Sequence, residues 1–271
     1  WSPGLDFETR LVAKVNAAER LRAALGARGY QPRPIAVGTV TDAYQPVERR
    51  LGLTRAVLEV LHETRHPFSL ITKSALVERD LDLIAPMGQA GRAAVYVSIT
   101  TLDPALARMM EPRVASPARR LETIEKLAAA GVPVAVMTAP IIPAINDDEI
   151  ETILTRAYAA GAREAGYILL RLPHELRQLF GEWLTAHFPD RAARVRAQDG
   201  RTGTLQERRP RQQSPALDPV ILGQPVRPLV GKGRPWGRGV HGVPEPLALK
   251  GIQGQVGQVA GHEREVRRFP G

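Results

Sequence analysis

Apolar and amphipathic stretches alternate along the first two-thirds of the chain. Residues 35–37 (Ile-Ala-Val) form a short apolar run of the kind that marks a strand buried on both faces. Further strands are predicted at residues 68–72 (FSLIT), 93–100 (AAVYVSIT), 133–140 (PVAVMTAP) and 165–170 (AGYILL). Helical periodicity fills the gaps. Residues 7–29 read as an amphipathic helix, with Asn16 in the N-cap position and Glu19 three residues on. A helix runs from Leu53 to about Thr64 before Pro67 breaks it, and another starts near Ala75. A short helix follows Pro104, and a longer one opens at Ser116 with Pro117 in its first turn. Asn146 or Asp147 caps the next, and a last helix stops at Pro189. Five strands alternating with helices form a βα repeat, which predicts an α/β fold: a parallel barrel or an open parallel sheet.

Polar residues cluster just after each predicted strand. The first such loop is the richest, with Thr39, Thr41, Asp42, Tyr44 and Gln45 within seven positions. Lys73 and Ser74 follow the second strand; Ser98, Thr100 and Thr101 close the third; Asn146 lies beyond the fourth and Arg171 beyond the fifth. In parallel α/β folds these positions share one rim, where ligands bind. Helix capping and turn formation by Thr, Asp and Asn account for part of the pattern. Lys73 and Arg171 are harder to explain that way, because each places a cation at a strand end where a carboxylate or phosphate would sit. They are the candidate catalytic cations. Tyr44, Gln45, Glu111 and Arg113 are candidates to face a substrate, although Glu111 and Arg113 read equally as a solvated ion pair.

Length and composition fit one large or two small globular domains, with 44% apolar residues. No apolar run approaches the ~20 residues of a membrane helix, and no N-terminal targeting signal is present, so a cytoplasmic protein without a membrane partner is expected. The net charge is +9, but residues 200–271 hold 12 Lys/Arg against 5 Asp/Glu, a net of +7. The remaining +2 belongs to residues 1–199, so basicity says little about what the folded part binds. The same tail contains 13 of the 24 glycines and 9 of the 23 prolines, without sustained periodicity. The chain therefore divides into a folded part, residues 1–198, and an irregular tail, residues 199–271, whose abrupt onset also fits a shifted reading frame. A start at Trp1 suggests a fragment. With no cysteine in the chain, disulfides, thiolate metal sites and a cysteine nucleophile are excluded within it.

Residues 62–66 (HETRH) match the H-E-x-x-H pattern of zinc proteases. Pro67 follows at once, so the second histidine falls at a fraying helix end, on the face opposite the rim. No metal ligand is assigned. The dinucleotide pattern G-x-G-x-x-G, the P-loop and the hydrolase elbow G-x-S-x-G are all absent.

Several strings occur in one order: SPGLDFETRL, AVGTVTDAYQPVE, LITKSALVERDLDLI, VSITTLD, MEPR, SPARRLETIEKLAAAGVPV, APIIPAIND and GYILLRLPHEL. Together they resemble the radical S-adenosylmethionine (radical SAM) superfamily, in its spore photoproduct lyase-related, DNA repair photolyase-like branch, over roughly residues 1–196. The resemblance implies a partial (β/α) barrel, incomplete at its N-terminal end, whose rim holds S-adenosylmethionine beside a 4Fe–4S cluster. It implies a reducing electron donor, reductive cleavage to a 5′-deoxyadenosyl radical, and nucleic acid as a substrate. Carried over by position, Thr39, Thr41 and Asp42 would meet the cofactor's amino group, and Ser98 and Thr100 its ribose or carboxylate. Asn146 would flank the adenine, while Lys73 and Arg171 would serve as cations for the cofactor carboxylate or the substrate. The family's CxxxCxxC loop, which ligates the cluster, has no counterpart in this chain, so the chain itself is expected to be inactive. Two rival readings stand beside this one. The first is a phosphate-binding barrel aldolase or isomerase with Lys73 as Schiff-base residue; the second is a non-catalytic relic whose basic tail contacts nucleic acid.

Overall fold

The computed structural model describes residues 11–195 apart from Arg171, Pro173 and Arg194. The tail proposed for residues 199–271 and the candidate cation Arg171 lie outside the described residues. Helix α1 (Ala17–Leu25) is followed by β1 (Ile35–Val37), the one-turn α2 (Glu48–Leu51) and α3 (Leu53–Glu63). After β2 (Phe68–Thr72) comes a 3₁₀ turn (Ala75–Asp80) and then α4 (Leu81–Gln89). Strand β3 (Ala93–Ser98) leads into α5 (Pro104–Met110) and α6 (Pro117–Ala129). The described part closes with β4 (Val134–Ile141), a 3₁₀ turn (Asp147–Glu149), α7 (Ile150–Ala159), β5 (Glu164–Leu169) and α8 (His174–His187).

The strands form one five-stranded sheet in the order β1-β2-β3-β4-β5, and every neighbouring pair is parallel. Among the described residues the sheet does not close on itself, which agrees with the partial (β/α) barrel that the resemblance implies. Its core is made by the strands' inner positions with α3, α4 and α6, including Leu58, Leu61, Leu70, Ile84, Val95, Ile124 and Leu127. One expectation needs correcting: β1 is not buried on both faces. It stands at the sheet edge with Ala36 exposed and its neighbours half-buried, because a three-residue apolar run cannot distinguish an edge strand from a central one. A second, smaller apolar cluster joins Leu106 of α5, Ile142 and Ile145 of the loop after β4, and Leu184, Ala192 and Val195 from the last helical segment. This cluster covers the end of β4, while the ends of β1 and β2 stay outside it.

Local capping follows the predicted chemistry at Ser116, and Asp103 and Ser74 supply further caps that the sequence reading did not name. Ser116 accepts a hydrogen bond from the Arg119 amide, Asp103 does the same for Ala105, and Ser74 for Leu76. Asn16 precedes α1 without a side-chain cap bond, and so does Asn146 before its 3₁₀ turn.

Candidate functional site

Parallel register brings the C-terminal ends of the five strands to one edge, and the loops that follow them meet there. The chain leaves β1 at Gly38, whose φ is +88°. A Cβ at this position would lie 2.2 Å from the carbonyl oxygen of Ile71 on β2, so only glycine lets the loop turn off this closely against its neighbour. Thr39, Val40 and Thr41 then project as an exposed tip.

Asp42 stitches this loop to the end of β2. Its Oδ1 accepts from the Tyr44 amide at 2.8 Å and the Thr72 hydroxyl at 2.7 Å, and its Oδ2 accepts from the Lys73 amide at 2.7 Å. Tyr44, expected to face a substrate, turns inward instead. It is 3% exposed, and its hydroxyl donates to Asp80 Oδ2 at 2.9 Å. Asp80 is fully buried and also takes Arg79 at 2.8 Å and Arg55 at 3.0 Å, while Arg79 reaches Glu48 at 3.0 Å. Burial would raise the Asp80 carboxyl, but the hydrogen bonds from Arg79, Arg55 and Tyr44 hold it below its ordinary value. Burial and the neighbouring Asp80 push the Tyr44 phenol far up. Gln45 is half-buried beside Tyr44.

The centre of the rim is a charged group that three elements build. Lys73, just past β2, places Nζ 2.9 Å from Glu111 Oε1 and is 32% exposed at its side chain. Glu111 Oε2 accepts from the Thr100 hydroxyl at 3.1 Å and from Arg120 Nη2 at 2.6 Å. Burial alone would raise the Glu111 carboxyl; the charges of Arg120 and Lys73 overcome that and hold it below the carboxylate range. Glu111 is therefore not the solvated surface carboxylate that the ion-pair reading with Arg113 supposed. Its side chain is only 10% exposed, whereas Arg113 is exposed. Ser98 is buried, and its carbonyl accepts from Arg120 Nη1 at 2.9 Å.

Asn146 carries the network on to β4, in place of the helix-cap role read from the sequence. Its Oδ1 accepts from the Ile142 amide at 2.7 Å, and its Nδ2 donates to the carbonyls of Thr100 at 2.7 Å and Pro140 at 3.1 Å. Glu149 makes a parallel link, accepting from the Thr101 hydroxyl and from the Leu102 amide at 2.7 Å. A continuous run of hydrogen bonds thus joins Asp42, Thr72, Lys73, Glu111, Thr100 and Asn146 along one edge. Of the residues picked from sequence, Asp42, Lys73, Ser98, Thr100, Glu111 and Asn146 come together here.

Arg120 and Glu149 escaped the sequence reading. An Arg in an amphipathic helix ordinarily marks the solvated face, yet Arg120 shares the buried stripe of Pro117, Leu121, Ile124 and Leu127 on α6, and that placement was the available signal. At the opposite end, the histidines of the HETRH run are held by ordinary structural partners. His66 is buried, with Nε2 2.8 Å from the Tyr30 hydroxyl and Nδ1 3.0 Å from the Pro67 carbonyl, and His62 lies 3.2 Å from the Leu83 carbonyl. No cluster of three potential metal ligands exists among the described residues.

The family model for the radical SAM superfamily matches residues 8–157. The chain belongs to that superfamily. An uncharacterised protein of Mycobacterium tuberculosis is 35% identical to it over 198 residues, which is 72% of this chain and 58% of the relative's length. An uncharacterised protein of Methanocaldococcus jannaschii is 32% identical over 115 residues, covering 42% of this chain and 43% of its own. The chain thus spans little more than half the length of the Mycobacterium tuberculosis relative. Similar solved structures include a spore photoproduct lyase mutant with dinucleoside spore photoproduct (TM-score 0.48, 17% identity, 64% of this chain and 50% of that one). Another is Streptococcus suis SuiB bound to S-adenosylmethionine (TM-score 0.39, 12% identity, 56% and 36%).

The residues of this radical SAM chain fit the two family cofactors unequally. The aminoacyl end of S-adenosylmethionine calls for a cation and for hydrogen-bonding groups that remain accessible, and the rim offers the partly exposed Lys73, whose amide binds Asp42, and the exposed Thr39 and Thr41 that precede Asp42 in the loop. An iron–sulfur cluster calls for thiolates, and the chain has none. No helix among the described residues is long and apolar enough to cross a membrane.

Proposed function

We propose that this chain forms the S-adenosylmethionine-binding rim of a radical SAM enzyme, with the cofactor's carboxylate on Lys73 and its amino group against the Thr39–Thr41 tip. The observation that carries the reading is the convergence of Lys73, Glu111, Thr100 and Asp42 on one sheet edge, with Lys73 more exposed than either Glu111 or Arg120. In this superfamily the cofactor supplies carbon-radical chemistry. The chain's own residues bind and orient it: Asp42 fixes the loop, and Glu111 and Thr100 set the direction of the Lys73 ammonium. Asn146, whose amide oxygen and nitrogen are both engaged internally, shapes the rim rather than touching the cofactor. No cluster-dependent step is assigned to this chain. A nucleic-acid substrate follows from the resemblance of the sequence strings, and salt-dependent retention of DNA fragments tests it.

Titration calorimetry of the full chain with S-adenosylmethionine tests the cofactor reading. Lys73→Met removes one charge-assisted hydrogen bond, about 1.5–3 kcal/mol, and so weakens binding roughly 10- to 100-fold. Methylthioadenosine, which lacks the carboxylate, is expected to bind wild type and variant alike. Equal loss for both ligands, or no loss for either, overturns the assignment.

A further inference from the structure

Arg120 is the largest of the fully buried side chains among the described residues, at 2% exposure, and it sits on the apolar stripe of α6. A guanidinium so placed is tolerated only when its donors are met and its charge is paired. Arg120 Nε donates to the Ala115 carbonyl at 2.8 Å, Nη1 to the Ser98 carbonyl at 2.9 Å, and Nη2 to Glu111 Oε2 at 2.6 Å. The Glu111 carboxylate is shared in an ordered way. Oε2 faces inward to Arg120 and the uncharged Thr100 hydroxyl, while Oε1 faces outward to Lys73. The charges that act most strongly on Glu111 are Arg120 from α6 and Lys73 from the end of β2. Of the two cations, only Lys73 is accessible to a ligand.

We propose that Arg120 is a positioning residue for anion recognition at this rim. By holding Oε2 of Glu111 from within, it leaves Lys73 able to turn from Oε1 to an incoming carboxylate without stranding a buried charge. Without Arg120, Glu111 keeps its pairing with Lys73 and competes with the ligand for it. The proposal rests on the reading of Lys73 given above and goes beyond it by naming the group that makes Lys73 available.

The test is the pH profile of S-adenosylmethionine affinity for wild type and Arg120→Met between pH 5 and 8, taken as a ratio so that the ligand's own ionisation cancels. At pH 8 the variant is expected to bind about tenfold more weakly, the scale of one charge-assisted hydrogen bond. Toward pH 5 the deficit is expected to shrink, because Glu111, held down by Lys73 alone once Arg120 is gone, protonates more readily than in wild type and releases Lys73. Adding Glu111→Gln to Arg120→Met is expected to relieve the deficit at pH 8. A deficit that is constant with pH and unrelieved by Glu111→Gln overturns this proposal alone, since a purely structural role predicts it. Wild-type affinity unaffected by Lys73→Met, or absent altogether, overturns the reading of Lys73, and the proposal falls with it. Carbon-13 titration of the Glu111 carboxyl gives a readout without ligand: an unchanged value in the variant refutes the hold of Arg120 on Glu111. Arg120→Lys, which retains a cation, replaces the Met variant if that one fails to fold, and is expected to show the same pH trend with smaller amplitude.

Discussion

Replacing Asp42 with alanine tests whether the rim loop is held by its carboxylate. Three hydrogen bonds disappear together: those from the Tyr44 amide at 2.8 Å, the Thr72 hydroxyl at 2.7 Å and the Lys73 amide at 2.7 Å. The Tyr44 bond is local to the loop, whereas the other two join the loop to β2. Bonds to a charged acceptor contribute about 1.5–3 kcal/mol each when buried and less when solvent reaches them, and Asp42 is half-buried. Counting the two cross-element bonds at the low end gives a loss of about 3 kcal/mol. With a urea slope of about 2 kcal/mol/M, the unfolding midpoint is expected to fall by roughly 1.5 M. Asp42→Asn is expected to lie between, because its Oδ1 can keep two donors while its NH₂ opposes the Lys73 amide. The assay is urea unfolding followed by circular dichroism, with the slope checked for constancy. A fall under about 0.3 M for the alanine variant, or an asparagine variant worse than alanine, refutes the reasoning.

Gly38→Ala is expected to cost about 2 kcal/mol or more, since it sets a Cβ against the Ile71 carbonyl at a φ of +88°, and melting should fall by several degrees in a thermal scan. Glu78 tests linkage. Burial would raise its carboxyl, but Arg119, Lys126 and Thr123 bring it down to about 2. A depressed carboxyl contributes stability above its unfolded value and loses it as pH falls toward the folded one, so the stability gap between wild type and Glu78→Gln should close between about pH 5 and 2 in urea titrations. Anaerobic reconstitution of this cysteine-free chain with iron and sulfide should give no broad absorbance near ~400 nm and no stoichiometric iron; a brown, iron-loaded product contradicts the reading of the donor set.

Much of the fold was legible because buried parallel strands are written as uninterrupted apolar runs. Residues 68–72 are strand β2 exactly as bounded by Pro67 and Lys73. Edge status was not legible, as β1 shows, since it depends on which neighbours arrive. The rim was legible as a recurrence of polar residues after strands, which is why Asp42, Lys73, Thr100 and Asn146 were found. What each side chain does there was not. Asn146 has the chemistry for a helix cap and uses it to tie two strand ends, and Tyr44 has the look of a loop aromatic yet lies over a buried ion cluster. Glu111 and Arg120 are nine positions apart, one at the end of α5 and the other inside α6, and their pairing depends on how the turn of residues 112–116 folds α6 back, which no local period encodes.

A closed barrel fixes the width of its mouth through strand number and stagger. Among the described residues the sheet has two open margins, β1 and β5, and no such constraint. The spacing of its strand tips falls instead to the run of side chains from Asp42 to Asn146, which acts as a drawstring along one hem. Cutting that string at any one knot should slacken the whole opening, so substitutions at residues that never touch a ligand should alter how tightly one is gripped.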